Sequence, residues 1–154
     1  MRGDCPRLAT LEELSEVEEV VTASYEKYLS RMDRPPAPMY RDYAKAIEMR
    51  EIWIVGSPVK GLISLIPQCE AVLLIENVAV HPLVQGSGLG RELMEFAELQ
   101  ARDHGFNRLV LYTNEVMTEN LPIYAHLGFS EVARLTEDGY RRIHMEKVIV
   151  SAPS

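Results

Sequence analysis

Three glycines, Gly86, Gly88 and Gly90, occur at alternate positions in the middle of this 154-residue chain. They follow an apolar run that ends at Val80 and precede a predicted helix, one face of which is formed by Leu89, Leu93, Phe96, Ala97 and Gln100. Four of these five residues are apolar and are expected to pack the helix against the sheet. The first N–H groups of a helix have no intrahelical partners, so a helix that begins after such a loop can bind an anion. Glycine has no β-carbon, which lets the backbone approach an oxyanion closely and adopt positive φ. The pattern predicts a phosphate-binding loop; the alternative is a loop that only packs the helix against the strand.

The loop sequence, QGSGLGRE at residues 85–92, differs from two common phosphate loops. It lacks the Gly-Lys-Ser/Thr of a P-loop, and its glycines do not have the G-x-G-x-x-G spacing of a dinucleotide-binding fold. The loop therefore does not favour nucleotide hydrolysis or hydride transfer.

The composition restricts the class of protein further. The chain is 47% hydrophobic and 25% charged, which is typical of a folded domain, and we predict a single domain over residues 1–154. Its net charge of -7 argues against nucleic-acid binding and favours a cationic or neutral small partner. Only two cysteines occur and no apolar run approaches roughly 18 residues, so we expect a cytoplasmic protein with no membrane contact. His81 and His126 belong to no cluster with ligand spacing, and no metal site is predicted.

The loop must be positioned by an alternation of strands and helices. Thr10 and Glu13 can form a capping box before a helix whose apolar stripe includes Tyr25 and whose acidic residues Glu12, Glu16 and Glu19 are expected to face water. The predicted element order is β-α-α-β-β-β-α-β-α-β-β, an α/β fold in which residues 51–80 form an antiparallel meander. Strands are predicted at residues 2–8, 51–56, 61–67, 71–80, 108–113, 129–135 and 140–150, and the later helices at 39–50, from the glycine loop to Gly105, and at 119–128.

The segment NVAVHPLVQGSGLGRELM resembles the acetyl-CoA-binding motif of the GNAT superfamily of N-acetyltransferases. In that motif an Arg or Gln is followed by x-x-Gly-x-Gly or Ala, and Gln85, Gly88 and Gly90 match it. The family's Tyr-x-x-x-Gly-Phe motif is matched by IYAHLGF, which contains Tyr124. The resemblance covers essentially the whole chain and implies a GNAT-like mixed, mostly antiparallel central sheet flanked by helices.

The resemblance also implies which residues bind the coenzyme. In the family, main-chain N–H groups of the loop hold the pyrophosphate, and main-chain groups of the preceding strand contact the pantetheine arm and the thioester. The family often has an Asn seven residues before the motif tyrosine. Met117 stands there in this chain, so Asn120 or Asn114 is the candidate substitute. Asn120 is taken as the coenzyme contact, with helix capping or solvation as the favoured alternative. The implied coenzyme-binding residues are Val78, Val80, Gln85, Gly86, Ser87, Gly88, Leu89, Gly90, Arg91 and Asn120.

Two side chains are candidates for proton transfer. The family counterpart of Tyr124 lies near the coenzyme sulfur, which implies that Tyr124 protonates the leaving thiolate. Packing of a short helix on the core is the alternative role for this tyrosine. Glu76 interrupts an apolar run, and a carboxylate in a largely buried strand can acquire the raised pKa of a general base. An edge-facing or salt-bridged glutamate is the alternative, as is a base that acts through water.

Four tyrosines flank a proline-rich turn at residues 34–38. In the family the corresponding helix pair lines the acceptor site, so these side chains are expected to shape it, with ordinary core packing as the alternative. They are Tyr25, Tyr28, Tyr40 and Tyr43.

These observations together predict an N-acetyltransferase with acetyl-CoA as co-substrate and no metal. The acetyl group is expected to move directly to a primary amine of a small molecule in a ternary complex. Two alternatives are kept: an acetyltransferase acting on a protein or peptide amine, and a non-catalytic acyl-CoA-binding regulator of the same fold. A homodimer is left open.

Overall fold

The strands of the protein lie in one mixed sheet with the order β1-β2-β3-β4-β5-β7-β6. This is a computed structural model, and it describes residues 5–150; residues 2–4 of the predicted first strand lie outside that range. The strands are β1 Arg7–Leu8, β2 Ile52–Val55, β3 Gly61–Pro67, β4 Val72–Val80, β5 Arg108–Asn114, β6 Ser130–Glu137 and β7 Tyr140–Val148.

The pairing of the strands confirms a mixed, mostly antiparallel sheet. Antiparallel pairs are formed by β1 with β2, by β2 with β3, by β5 with β7 and by β6 with β7. β4 and β5 are parallel, with a register that runs from Val72 opposite Arg108 to Ile75 opposite Leu111. The hairpin between β6 and β7 turns at Asp138 and Gly139, which both have positive φ, as a two-residue type I′ turn requires.

Within residues 5–150, four α-helices flank the sheet and follow the predicted order. They are α1 Leu14–Tyr25, α2 Tyr43–Glu48, α3 Leu89–Asp103 and α4 Asn120–His126. Short 3-10 turns occur at Leu11–Glu13, Glu26–Arg31, Ala37–Tyr40 and Pro82–Val84. The second helix is shorter than the predicted 39–50, because Arg41 is extended and the Asp42 carboxylate caps the helix by accepting from the Lys45 main-chain N–H at 3.1 Å.

The predicted capping residues before α1 are in contact. The main-chain N–H of Thr10 donates to the Glu13 carboxylate at 3.1 Å, and Arg7 donates to the same carboxylate at 2.8 Å. Burial raises the pKa of Glu13, but these hydrogen bonds outweigh it and hold the pKa below its ordinary value of 4.5. The expectation that Glu16 only faces water was wrong, since its carboxylate accepts from the Val59 N–H at 3.0 Å.

The chain forms two compact units, which we call the N-terminal and C-terminal units. The N-terminal unit contains the chain up to Leu65 together with Asn77–Ala97, and the C-terminal unit contains Ile66–Glu76 and the chain from Glu98 onward. The core of the N-terminal unit is an apolar cluster formed by Ala9, Val17, Val20, Val21, Tyr43, Ala46, Ile47, Ile52, Ile54, Val59, Leu62 and Ala79. In the C-terminal unit the buried apolar side chains include Leu73, Ile75, Leu109, Leu111, Met117, Phe129, Ile143 and Met145.

Candidate active site

The glycine loop of the N-terminal unit has the conformation that the sequence predicted at two of its three glycines. Gly86 and Gly88 have φ of 84° and 90°, a region that L side chains rarely adopt. A β-carbon at either position would meet no protein atom within 4 Å, so the surface at these glycines is open. Gly90 differs, because it lies in the first turn of α3 without a positive φ. Its role as a glycine therefore has to come from close approach by a ligand or from packing, and not from its backbone conformation.

The loop presents a group of main-chain donors at the start of α3. The first hydrogen bond of the helix runs from the Glu92 N–H to the Gly88 carbonyl at 3.0 Å. Within residues 5–150, the N–H groups of Gly88, Leu89, Gly90 and Arg91 have no hydrogen-bond acceptor in the protein. Four donors at the positive end of a 15-residue helix are an arrangement that can bind an anion, and the binding of a pyrophosphate here stays a prediction.

Hydrogen bonds to the preceding turn fix the shape of the loop. The Ser87 hydroxyl donates to the Val84 carbonyl at 2.6 Å, and the Ser87 N–H donates to the same oxygen at 3.2 Å. The Gln85 side chain donates to the Val80 carbonyl at 3.3 Å, which joins the loop to the end of β4. His81, which was considered as a metal ligand, instead accepts from the Leu83 N–H through Nδ1 at 3.2 Å. The loop is therefore held from its amino-terminal side while its helix-facing donors stay open.

Helix α3 is anchored by the apolar face that its sequence predicted. Leu93, Met94 and Ala97 are buried, and the Phe96 ring lies 5.0 Å from the Trp53 ring in the N-terminal unit. Gly61 of β3 lies close to the start of the helix: a β-carbon there would lie 3.0 Å from the Leu89 side chain. This contact was not predicted from the sequence. It sets the position of the helix end that carries the donors.

Strand β4 alternates between buried and half-buried residues. Its odd-numbered residues Leu73, Ile75, Asn77 and Ala79 are buried, and the even-numbered residues, which include Glu76, Val78 and Val80, are half-buried. The two valines predicted to contact the coenzyme thus lie on one face of the strand. Their carbonyl oxygens accept hydrogen bonds from side chains, at 3.5 Å from the Tyr25 hydroxyl for Val78 and at 3.3 Å from Gln85 for Val80.

Glu76 lies on the same half-buried face of β4, in the segment that belongs to the C-terminal unit. Glu76 was predicted to be a base because it lies in a strand expected to be largely buried. In the structure its side chain is half-buried. The assignment of Glu76 as the base stays a prediction. The buried polar residue of the strand is its neighbour Asn77, whose side chain is 3% exposed and which the sequence argument did not single out.

Tyr124 lies in α4 of the C-terminal unit and is half-buried. Its ring lies 6.2 Å from the Phe129 ring in an edge-on arrangement, and its carbonyl accepts from the Phe129 N–H at 3.0 Å. The two residues of the predicted motif therefore contact each other across the end of the helix. The role of Tyr124 as an acid stays a prediction.

Asn120 is the first residue of α4 and its side chain has a partner inside the C-terminal unit. The side-chain amide donates to the Thr113 hydroxyl at 3.4 Å, and the Asn120 N–H donates to the Met117 carbonyl at 3.0 Å. Met117, which stands at the position of the family's Asn, is buried. The structure thus gives Asn120 a local structural contact, and its predicted contact with the coenzyme stays a prediction.

The four tyrosines around the proline turn divide into two groups. Tyr28 and Tyr43 are buried, and Tyr25 is half-buried against them, whereas Tyr40 is 65% exposed. The Tyr25 and Tyr28 rings lie 6.2 Å apart.

Among the described residues no group of three or more His, Cys, Asp or Glu side chains could hold a metal ion, and no helix is long and apolar enough to cross a membrane.

The mixed sheet and the loop between β4 and α3 define a class of protein: an α/β domain with open main-chain donors at the start of a helix. The chain matches the family model described as Acetyltransferase (GNAT) domain over residues 48–131, more than half of its length. The chain therefore belongs to the GNAT acetyltransferase family.

Individual relatives agree with this assignment. The chain is 47% identical over 57 residues to N-alpha-acetyltransferase 80 of Mus musculus, which is 37% of this chain and 17% of that protein. In three of the relatives matched by sequence, the aligned segment covers between 17% and 35% of the relative's length.

Two solved structures show the same fold. PaiA N-acetyltransferase from Thermoplasma acidophilum, solved in complex with coenzyme A, has a TM-score of 0.77 at 17% identity, covering 96% of this chain and 99% of that chain. The ribosomal-protein-S18-alanine N-acetyltransferase from Escherichia coli has a TM-score of 0.74 at 18% identity, covering 97% and 96%. At these identities the structures support the fold alone.

Proposed function

We propose that this protein transfers an acetyl group from acetyl-CoA to a primary amine of a small molecule by direct attack in a ternary complex. The observation that carries the proposal is the loop before α3, where four main-chain N–H groups have no acceptor among the described residues and two positive-φ glycines leave the surface open. Main-chain donors at a helix start bind a pyrophosphate without any side-chain charge. Membership in the GNAT family supports the choice of coenzyme A over other pyrophosphates.

The residues of the chain have the following roles in this proposal. The N–H groups of Gly88 to Arg91 bind the pyrophosphate, and main-chain groups of Val78 and Val80 orient the pantetheine arm. Acetyl-CoA supplies an activated thioester for transfer to the amine. Glu76, directly or through a water molecule, removes a proton from the ammonium form of the acceptor, and Tyr124 donates a proton to the departing thiolate.

The acceptor class is argued from charge. The net charge of -7 attracts cations over a range set by the ionic strength, so an acceptor with one or more ammonium groups would be steered toward the protein. A basic peptide or protein terminus has the same property, and acetylation of such an amine is the second candidate. A regulator that binds acyl-CoA without catalysis is the third.

One experiment separates these three functions. The protein is mixed with acetyl-CoA and a panel containing a polyamine, an aminoglycoside, a lysine-containing peptide and peptides with free N-termini, and thiol release is followed with a chromogenic disulfide. We expect turnover with at least one small amine. Turnover with peptides alone would move the assignment to a protein acceptor. Binding of acetyl-CoA by calorimetry without thiol release from any amine would favour the regulator, and no binding at all would refute the proposal.

A further inference from the structure

Asn77 places a carboxamide inside the apolar core of the N-terminal unit. The residue is 3% exposed, and Ala79 on the same face of β4 belongs to the apolar cluster. A buried amide costs free energy unless its hydrogen bonds are made. Every buried side-chain nitrogen and oxygen in the described part of the chain has a partner, and Asn77 obtains its partners from two tyrosines.

Asn77 and these two tyrosines form a chain of hydrogen bonds in which each side chain donates to the next group. The Tyr25 hydroxyl donates to Asn77 Oδ1, the Asn77 amide donates to the Tyr43 oxygen at 2.9 Å, and the Tyr43 hydroxyl donates to the Pro38 carbonyl at 2.6 Å. The Pro38 oxygen can only accept, so Tyr43 must accept from the amide, and this fixes the orientation of the Asn77 side chain. We call Tyr25, Pro38, Tyr43 and Asn77 the Asn77 network.

Stability alone does not account for the Asn77 network. A satisfied buried hydrogen bond contributes little net stability, and an apolar residue of similar size in this core would be at least as stabilising. The network instead fixes the position of β4 within the N-terminal unit. It joins β4 to the last residue of α1, to the first residue of α2 and to the proline turn, all of which lie in the N-terminal unit.

The fixed segment of β4 adjoins the coenzyme strand of the proposed function. Asn77 directly precedes Val78, and the Tyr25 hydroxyl lies 3.5 Å from the Val78 carbonyl oxygen as well as against the Asn77 amide. We infer that the Asn77 network holds the main chain at Val78 in the position that the pantetheine arm of acetyl-CoA requires, so that Tyr25 and Tyr43 are positioning residues. This inference rests on the proposed function.

The test compares the binding of acetyl-CoA with the binding of a fragment that lacks the pantetheine arm. Calorimetry measures the binding of acetyl-CoA and of adenosine 3′-phosphate 5′-diphosphate, which keeps the pyrophosphate but lacks pantetheine. Wild type, Tyr25→Phe and Tyr43→Phe are compared, with Tyr40→Phe as the control, because it removes the same hydroxyl from an exposed tyrosine of the same turn. Circular dichroism melts show which variants are folded. If Tyr43→Phe does not fold, Tyr25→Phe, which loses the donor at the outer end of the network, tests the inference by itself.

We expect Tyr25→Phe and Tyr43→Phe to weaken acetyl-CoA binding by about 5- to 10-fold, the loss of one hydrogen bond, while binding of the nucleotide fragment stays within about twofold of wild type. Tyr40→Phe should change neither. Equal weakening of both ligands would assign the network to the stability of the fold, and unchanged binding of both would refute a positioning role; either result leaves the proposed function standing. If wild type itself binds neither ligand, the proposed function fails and the inference with it.

Discussion

Gly88 and Gly105 provide a matched pair for testing the anion site. Gly88 lies just before α3 with φ of 90°, and Gly105 lies just after it with φ of 79°. A β-carbon at either position would meet no protein atom within 4 Å. Replacing each with alanine therefore imposes the same kind of backbone cost and no steric clash within the protein. The two variants differ in that only Gly88 borders the open donors of the helix.

The expected effect on stability is similar for the two variants. An L residue in this left-handed region costs roughly 1–2 kcal/mol, and each kcal/mol shifts the melting temperature of a chain of this size by roughly 2–4 °C. Both Gly88→Ala and Gly105→Ala should thus melt about 2–8 °C lower than wild type. Gly90→Ala should melt at or above the wild-type temperature, because Gly90 is helical and its β-carbon would make an ordinary contact of 3.7 Å with Val80.

The expected effect on binding separates the three variants differently. Side chains in the first turn of a helix tilt toward its N-terminus, so a methyl group at residue 90 would point toward the bound pyrophosphate. Losing one hydrogen bond to a charged group costs about 1.5–3 kcal/mol, which is roughly a 10- to 100-fold rise in Kd. We expect a loss of this size for Gly88→Ala and Gly90→Ala, and none for Gly105→Ala.

Calorimetric titration with acetyl-CoA measures the three Kd values, and thermal melts measure the stability. At 100 times its Kd, acetyl-CoA should stabilise wild type and Gly105→Ala by about 2.7 kcal/mol, and the two loop variants by less at the same concentration. Wild-type affinity in both Gly88→Ala and Gly90→Ala would show that the loop does not hold the pyrophosphate. A loss in Gly105→Ala as large as in Gly88→Ala would show that binding responds to strain in the helix and not to the loop.

Three further substitutions test the proton-transfer assignments and the electrostatics of the first helix. Tyr124→Phe keeps the ring that packs on Phe129 and should lower kcat by on the order of 100-fold in a thiol-release assay with an unchanged Kd for acetyl-CoA; an unchanged kcat would remove the acid assignment. Glu76→Gln should shift the alkaline rise of kcat/KM, and a wild-type pH profile would point to a base acting elsewhere. The lowered pKa of Glu13 means that its ionised form adds stability above the ordinary value of 4.5 and that this contribution disappears as the pH falls through the lowered pKa. Urea unfolding should therefore show Glu13→Gln less stable than wild type at pH 7, with the difference shrinking as the pH falls below 4.5, and the exposed Glu12→Gln unaffected at either pH; a difference that persists undiminished at acid pH would contradict the electrostatic origin.

Much of the fold followed from local patterns. The apolar face of α3 was predicted from the spacing of Leu93 and Ala97, and both are buried. Gly105 was predicted to end that helix, and its N–H donates to the Arg102 carbonyl at 3.3 Å while the Phe106 N–H donates to the Ala101 carbonyl at 2.8 Å. The element order is confirmed for the same reason: the strands and helices are separated by proline and glycine turns whose conformations depend on neighbouring residues only. The mixed, mostly antiparallel sheet is confirmed as well, but that prediction came from the resemblance to the GNAT family and not from local patterns.

The predictions that were wrong concern residues whose conformation or contacts depend on distant parts of the chain. The second helix was expected from residue 39, but Arg41 is extended, and its side chain pairs with Glu51 at 2.6 Å and donates to the buried Ser64 hydroxyl at 2.6 Å. Glu16 was expected to face water, but it accepts from the Val59 N–H, 43 residues further along the chain. Neither partner could be read from the residues nearby. Periodicity predicts which face of a helix is apolar, and it does not predict which polar groups on the other face have partners.

For the neighbouring residues Glu76 and Asn77, the alternation of a strand shows which of the two polar side chains is buried. The run VLLIENVAV was predicted to be a largely buried strand, so its carboxylate was singled out as a group whose pKa could be raised. In the structure the strand alternates, and Asn77 shares the buried face with Ile75 and Ala79 while Glu76 shares the half-buried face with Val78. The inward amide is tolerated because hydroxyl groups 52 and 34 residues away complete its hydrogen bonds. Alternation alone assigns the two neighbours to opposite faces, so one buried reference residue such as Ile75 would have been enough to predict that the carboxylate lies on the face with Val78 and that the amide lies in the core.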